Sequence, residues 1–574
     1  KPILFNNSMK INNLNNLPEL FLSQYKKQNR NKIFLTSLKD SNNFFTWERA
    51  YLCINILSNE FSKYIKKGDR CLLISENRPE WMITDLSVML AGGITVPAYT
   101  TYLSRDYEYI IKDCQPTLII VSNDDQYIKV KNLLKKNKTI KKIFSFDALT
   151  KISKKSYVNI NRLFNFGKSS SLHLSGLNNN RTDPACIIYT SGTQGNPKGV
   201  VLSHGGILSN CEGSYELFKP LITKNTKFLT WLPLSHSYEH TIQFIQIITG
   251  AEIFYAESID KLIKNMIDCS PHIMTAVPRF YQNLYQKINY SFKKARGVKK
   301  IFILQMLKLG AKKINKDKLT VSENFLNKIL DYLVRAKIKK QFGGNIKAFI
   351  SGGGALDNQV GIFLNAIGLP TLQGYGLTES SPIVSCNLIS DIRPETAGVP
   401  FKTNNVKIAK DGEILVKGEN VMLGYWNNKA ETNKVIKGGW LHTGDVGEFV
   451  DGYLKITDRK KDILITPGGD NISPAKVENE IINSDLINQA VVYGDNKPYL
   501  SAILVLDNQK NISQVKLKKE IDKINNDLTN IEKIKKYILA KEIFSIENGL
   551  LTPSLKLKRH KIIEKYKKEL ESLY

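Results

Sequence analysis

The sequence predicts an α/β protein: a large N-terminal domain of wound α/β sheets, a small β unit attached to it, and a small α+β domain at the C-terminus. Three observations carry this. Short apolar runs alternate with amphipathic helical patterns from residue 45 to about residue 390, the spacing of parallel strands joined by crossover helices. From about 395 short alternating strands take over, with hairpin signals at Asp411-Gly412 and Asp451-Gly452. Beyond the charge cluster Asp458-Arg459-Lys460-Lys461-Asp462, short strands give way to Lys-rich helices.

In order, a helix over 45–66 opens on Thr46 and Glu48, an N-terminal capping pattern. The strand Cys71–Ser75, a helix over 79–91, an extended run 94–97, a helix near 104–113 and the strand Thr117–Val121 follow. Residues 127–182 are polar and Ser/Asn-rich, which predicts an irregular connection with one strand near 140–146. Next come an apolar strand at 185–188, a glycine-rich loop, a helix after His204 and the strand Phe228–Leu234. The expected divisions are 1–457 for the large domain, with α/β texture to about 394 and a β-rich unit over 395–457. A boundary follows at 458–461, then a small domain over 462–574. In the small domain the pattern predicts strands at 462–465, 489–493 and 500–506, a helix near 475–483, and helices thereafter.

Composition sets the limits. At 574 residues, 42% hydrophobic and 24% charged, the chain has material for more than one globular domain. Its seven cysteines are scattered without a Cys-x-x-Cys pair, which argues against a zinc site or disulfide framework and fits a reducing, cytoplasmic setting. Residues 1–20 lack the apolar core of a signal peptide, and the best apolar stretch, 82–99, carries Asp85, two glycines and a proline. The net charge of +29 comes mostly from 69 Lys against 13 Arg. Residues 285–347 alone hold 17 Lys/Arg against 3 Asp/Glu. No nucleic-acid-binding module accompanies that charge, so nucleic acid is not the expected partner. Lysines interleaved with Ile301-Phe302-Ile303-Leu304 read as a basic amphipathic helix. Such a helix suits peripheral contact with an anionic membrane, or simply a solvated lysine face over a buried stripe.

Five stretches carry chemistry. The loop Tyr189-Thr190-Ser191-Gly192-Thr193-Gln194-Gly195-Asn196-Pro197-Lys198-Gly199 follows a buried strand and offers backbone amides, hydroxyls and one ammonium. Those are the groups that surround a polyphosphate, although the spacing is not the Walker pattern. Ser351-Gly352-Gly353-Gly354-Ala355 ends another strand with residues small enough for a flat ring to approach the backbone. Gln373-Gly374-Tyr375-Gly376-Leu377-Thr378-Glu379 places an aromatic face, a hydroxyl and a hard carboxylate on a loop. There the ring can stack on a base and the carboxylate can hold Mg²⁺ beside phosphates. In Gly439-Trp440-Leu441-His442-Thr443-Gly444-Asp445 an aspartate on a turn can accept from ribose hydroxyls. Leu551-Thr552-Pro553-Ser554-Leu555-Lys556-Leu557 sets a lysine on a loop before the last helix.

Five such motifs in one order make the chain resemble the adenylate-forming superfamily of acyl-CoA synthetases, luciferases and peptide-synthetase adenylation domains. Within it the likeness is strongest to long-chain fatty acid–CoA ligases. Leu232-Pro233-Leu234-Ser235-His236-Ser237-Tyr238-Glu239-His240 and the long basic stretch before Ser351 carry that likeness. The resemblance implies that the β unit is barrel-like and the C-terminal domain mobile. It implies ATP, Mg²⁺, CoA and a fatty acid as ligands, and is compatible with a homodimer. Thr190, Ser191, Gly192, Thr193 and Lys198 would hold the β- and γ-phosphates. Gly353, Gly354 and Ala355 would lie along the adenine with Tyr375 stacked on it. Thr378 would meet the α-phosphate, Glu379 the Mg²⁺, and Asp445, assisted by Arg459, the ribose. Lys461 would be the hinge, Lys556 the catalytic lysine and His236 a residue at the mouth of the acyl pocket. Gly468 and Gly469 would pass the pantetheine arm of CoA. Many members have glycine before the catalytic lysine, where this chain has Leu555. Two rivals stand beside this reading. His236-x-x-Glu239-His240 matches a zinc-protease pattern, but Pro233 and Ser235 place a helix start there rather than the helix interior that pattern needs. A fatty acyl-AMP ligase, which passes the adenylate to a carrier protein, would share the ATP motifs.

Overall fold

The computed structural model describes residues 11–166, 175–190, 197–507, 512–553 and 555–574. Two sheets dominate. One has eight strands in the order Gly424–Tyr425, Lys198–Ser203, Pro184–Thr190, Ile94–Ala98, Arg70–Ile74, Leu118–Val121, Lys142–Ser145, Tyr157–Asn159. The other has nine, with Thr371–Gly376, Ala348–Ser351, Ile273–Ala276, Lys227–Thr230, Glu252–Tyr255 and Ile33–Ser37 running in parallel through its middle.

Helices Pro79–Leu90 and Ser237–Ile248 are buried along their whole length and share one apolar core with strands of both sheets. A helix covered on every side needs internal partners for its polar groups. Here His240 Nε2 meets Asp85 Oδ2 at 2.8 Å and Gln243 donates to the same oxygen at 2.7 Å, tying the two helices together. Burial opposes charge on His240, but the Asp85 carboxylate outweighs it and raises the imidazole to about 10. The apolar stretch 82–99 is thus split between a buried helix and the strand Ile94–Ala98. Among the described residues no helix is long and apolar enough to cross a membrane.

Residues 404–459 form a five-stranded antiparallel sheet. Its edge strands are not hydrogen-bonded to one another, so the barrel-like unit stays open on that side. Both predicted hairpins are present: Asp411-Gly412 joins Asn404–Ile408 to Glu413–Gly418, and Asp451-Gly452 joins Trp440–Val450 to Tyr453–Arg459. At the second turn both residues adopt positive φ, 50° and 81°, as the preferred two-residue hairpin loop requires. Beyond Arg459, a two-stranded hairpin and the three-stranded sheet Ile487–Tyr493, Leu500–Leu506, Ile534–Leu539 pack with helices Pro474–Ile482 and Gln514–Asn526 around a separate core.

Two sequence expectations need correction. Residues 127–182 are more regular than their polarity suggested. Helix Asp124–Leu134 is capped by Asn123, and Tyr157–Asn159 forms an edge strand before helix Ile160–Phe166. Tyr157–Asn159 lies at the edge of its sheet, a position that tolerates polar residues because one side has no strand neighbour. Within the Lys-rich C-terminal stretch, Ile534–Leu539 is a strand rather than a helix. Asn525 bonds both main-chain groups of Ile534 and fixes the strand's start (2.8 and 2.9 Å).

Candidate active site

The glycine-rich loop is bounded by two paired strands. Strand Pro184–Thr190 enters and strand Lys198–Ser203 leaves, antiparallel, with Thr190 opposite Lys198. Ser191, Gly192 and Thr193 lie outside the described residues. The Lys198 ammonium is 2.5 Å from Glu431 Oε2 and stands 5.1 Å from the centre of the Tyr425 ring.

At the end of strand Ala348–Ser351, the backbone of Gly352 passes so close to Tyr238 that a Cβ there would lie 2.7 Å from the ring. Gly353 has φ of +82°, open to glycine and costly for other residues. Gly354 and Ala355 are exposed beyond it. Tyr375 lies in strand Thr371–Gly376, not on a loop as expected, because Ser385 of the neighbouring strand pairs with it. Thr378 and Glu379 follow on a single 3₁₀ turn. Thr378 Oγ1 is 2.9 Å from Ser237 Oγ, which links the turn to the start of the buried helix. Glu379 Oε1 accepts a 2.8 Å hydrogen bond from the Tyr425 hydroxyl.

Asp445 is likewise in a strand, Trp440–Val450, rather than on a turn, and its ladder partner is Arg459. The register therefore creates the ion pair, Arg459 Nε to Asp445 Oδ1 at 3.0 Å. Asp445 Oδ2 accepts from the Tyr375 hydroxyl at 2.7 Å, and only 4% of the residue is exposed. A carboxylate offers about four acceptor positions, so this one retains acceptor capacity for further donors.

Lys556 reaches this cluster from the C-terminal segment. Its Cε lies 3.8 Å from where a Cβ on Gly353 would stand. Leu555, which precedes it, sits at φ +62° and packs on the core of the large sheets. That left-handed conformation explains why glycine suits the position and shows that this chain bears the strain with leucine. Solvent reaches the Lys556 side chain, yet the crowding of protein around its ammonium lowers its pKa to about 8. Arg459 adds to the lowering, while Asp445 and Glu379 oppose it. His236 caps the buried helix by accepting from Tyr238 N at 3.2 Å. Burial first, and the nearby Lys556 charge second, hold its imidazole down at about 3, so it is neutral near pH 7. Glu239 and His240 turn into the interior instead. Glu239 Oε2 accepts from Thr275 at 2.7 Å, and both His240 nitrogens face protein groups, Asp85 and Cys186. Among the described residues no group of three potential ligands could hold a metal ion.

The structure thus gathers Gly353, Tyr375, Glu379, Asp445, Arg459, Lys556 and His236 into one cluster. It does not bring Gly468 and Gly469 there. A Cβ on Gly468 would meet only Thr466 and Asp470 of its own loop, and one on Gly469 would meet nothing within 4 Å. Lys461 is exposed just past the Asp445–Arg459 pair. Tyr425 and Glu431 escaped the sequence reading. Glu431 lies 233 residues from Lys198, and no local pattern joins them.

The family described as AMP-binding enzyme matches residues 22–426, and the AMP-binding enzyme C-terminal domain matches 461–574. The long-chain-fatty-acid–CoA ligase FadD15 of Mycobacterium bovis is 30% identical over 89% of this chain and 88% of its own length. Long-chain-fatty-acid–CoA ligase 6 of mouse is 30% identical over 88% of this chain and 78% of its own. Among solved structures, the anthranilate CoA ligase AuaEII in complex with anthranoyl-AMP superposes with a TM-score of 0.76 at 18% identity, covering 97% of this chain and 98% of the other. ATP-bound MatB from Rhodopseudomonas palustris gives 0.73 at 20% identity, covering 96% and 99%. At those identities the superpositions speak for the fold.

Proposed function

The chain belongs to the AMP-binding enzyme family, and from that premise we propose that it activates a long-chain fatty acid with ATP and transfers the acyl group to CoA. The observation that carries this reading is the convergence of Lys556, Arg459, Asp445 and Glu379 beside Gly353. The long-chain ligase names of the relatives support the substrate class.

A carboxylate is a poor acyl donor because its leaving group would be oxide. Attack of a carboxylate oxygen on the α-phosphorus of ATP makes an acyl–AMP anhydride and expels pyrophosphate. AMP can then leave when the CoA thiolate attacks the acyl carbonyl. The chain's own groups serve the first step by holding the reactants and offsetting charge. Thr190 and Lys198, with Ser191, Gly192 and Thr193, take the β- and γ-phosphates. Gly353, Gly354, Ala355 and Tyr375 take the adenine, and Asp445, paired with Arg459 at 3.0 Å, accepts from the ribose hydroxyls. Thr378 donates to the α-phosphate and Lys556 balances the charge that grows there. His236, neutral at the buried helix's start, shapes the site of the carboxylate without competing as a cation. A Mg²⁺ ion suits the donor set, since it takes one or two carboxylates plus phosphate oxygens. Glu379 offers one such carboxylate, and among the described residues its Oε2 carries no hydrogen bond. Bound there, the ion would neutralise phosphate charge.

The second step needs a different arrangement, because Lys556 lies beside Gly353 while Gly468 and Gly469 approach none of that cluster. Strand Tyr453–Arg459 ends the first unit, and rotation just beyond it, at Lys461, would withdraw Lys556 and bring the Gly468-Gly469 loop in for the pantetheine arm. One site would then serve both reactions, away from water. The test is pyrophosphate release with CoA across acids from acetate to oleate. The expected result is turnover rising with chain length. Preference for short or aromatic acids would overturn the long-chain assignment.

Peripheral contact with an anionic membrane belongs to the same proposal. Helix Gly297–Ile314 buries Ile303, Met306 and Leu309 and leaves Ile301 and Leu304 exposed among Lys299, Lys300 and Lys308. The next helix exposes Val321 (89%) and Phe325 (69%), and the turn after it Tyr332 (80%), in one stripe with Lys328. Apolar side chains interleaved with lysines suit a surface of anionic lipid. Sedimentation should show binding to anionic vesicles that weakens with salt, and Phe325→Asp combined with Tyr332→Asp should reduce it. Equal or absent binding to anionic and neutral vesicles would remove the idea.

A further inference from the structure

Tyr425 touches two of the groups assigned to the metal–triphosphate complex, and neither contact is local in sequence. Its ring centre lies 5.1 Å from the Lys198 ammonium, and its hydroxyl donates to Glu379 Oε1 at 2.8 Å. We propose that Tyr425 is a positioning residue that couples the phosphate-binding lysine to the metal-binding carboxylate, the ring face holding Lys198 and the hydroxyl fixing Glu379.

The surroundings are built for that task. The strand Gly424–Tyr425 pairs with Val200–Val201, so Tyr425 lies beside the strand Lys198–Ser203 that begins with Lys198. Trp426 N donates to Gly199 O at 2.7 Å, and Tyr425 N to Thr432 Oγ1 at 2.9 Å. Thr432 and Glu431 sit on helix Lys429–Val435, and Glu431 takes the second side of the Lys198 ammonium. Glu379 is fastened from the same segment, since its carbonyl accepts from Met422 N at 2.8 Å. A cation over a tyrosine face is attracted by the ring's negative face. In the pair with Glu379 the phenol hydroxyl is the donor, since a carboxylate oxygen only accepts. A hydrogen bond to a carboxylate sets which lone pairs remain for an ion, and such outer partners commonly change metal affinity ten-fold or more.

This inference rests on the assignment of Lys198 to phosphate and Glu379 to Mg²⁺. It is tested in the full-length enzyme by titrating Mg²⁺ at saturating ATP and by measuring KM for ATP at saturating Mg²⁺. Tyr425→Phe keeps the ring and loses the donor. The expected result is a Mg²⁺ requirement raised about ten-fold, with KM for ATP within two-fold of the parent. Tyr425→Leu loses both contacts and should add a two- to five-fold rise in KM for ATP, matching an exposed cation–π contact. Glu379→Gln is the control for the underlying assignment. If it shifts the Mg²⁺ curve while Tyr425→Phe superposes on the parent, the coupling is wrong and the assignment stands. If neither variant moves the curve, the metal role of Glu379 falls, and the coupling falls with it.

Discussion

Replacing Lys556 with alanine should lower acyl-AMP formation about 10²- to 10³-fold, the cost of removing one preorganised charge from a transition state. Lys556 reaches Gly353 from a separate segment of the chain, and its ammonium senses Arg459, Asp445 and Glu379 together. Its pKa, lowered to about 8 by the protein crowded around the ammonium and by Arg459, adds a pH signature. The charged form is the one that offsets negative charge. The kcat/KM for adenylation in the parent should therefore be full below pH 8 and fall as pH rises through about 8, reporting the free enzyme. Lys556→Arg should move that alkaline limb upward, because a guanidinium stays charged. An unchanged limb would assign the titration to another group.

Asp445→Ala should raise KM for ATP about 10- to 100-fold, the range for losing hydrogen bonds to a buried charged group. The substitution removes the acceptor proposed for the ribose and strips both Tyr375 and Arg459 of a partner at 2.7 and 3.0 Å. It also frees the Arg459 charge, which the Asp445 carboxylate stabilises, to repel Lys556 more strongly. Asp445→Asn keeps the shape and one acceptor and should fall between parent and alanine variant. Initial-rate kinetics over ATP concentration decide it: a KM within two-fold of the parent for Asp445→Ala would place the ribose elsewhere.

What the sequence made legible follows the range of each signal. Strand–helix alternation is local and apolar, so most elements up to residue 390 emerge from it, and turn chemistry marked both hairpins. Tyr157–Asn159 and Ile534–Leu539 were missed because their order comes from a neighbouring strand, not from their own composition. Of the motif residues, Lys556, Asp445 and Glu379 lie near one another, but two backbones differ from the expectation. Tyr375 and Asp445 are strand residues whose ladder partners, Ser385 and Arg459, create the geometry. Tyr425 and Glu431 left no trace, since a contact with Lys198 across more than two hundred residues has no sequence period.

The central claim is that one cleft makes a long-chain acyl adenylate with Lys556 in place and passes it to CoA with Lys556 withdrawn. The most direct measurement supplies preformed oleoyl-AMP and CoA to the Lys556→Ala enzyme and follows oleoyl-CoA. The account predicts formation near the parent rate even though the same variant scarcely makes the adenylate. Thioester formation that falls in step with adenylation would contradict the exchange at Lys461. No oleoyl-CoA from either enzyme would contradict CoA as the acceptor and point to a carrier protein.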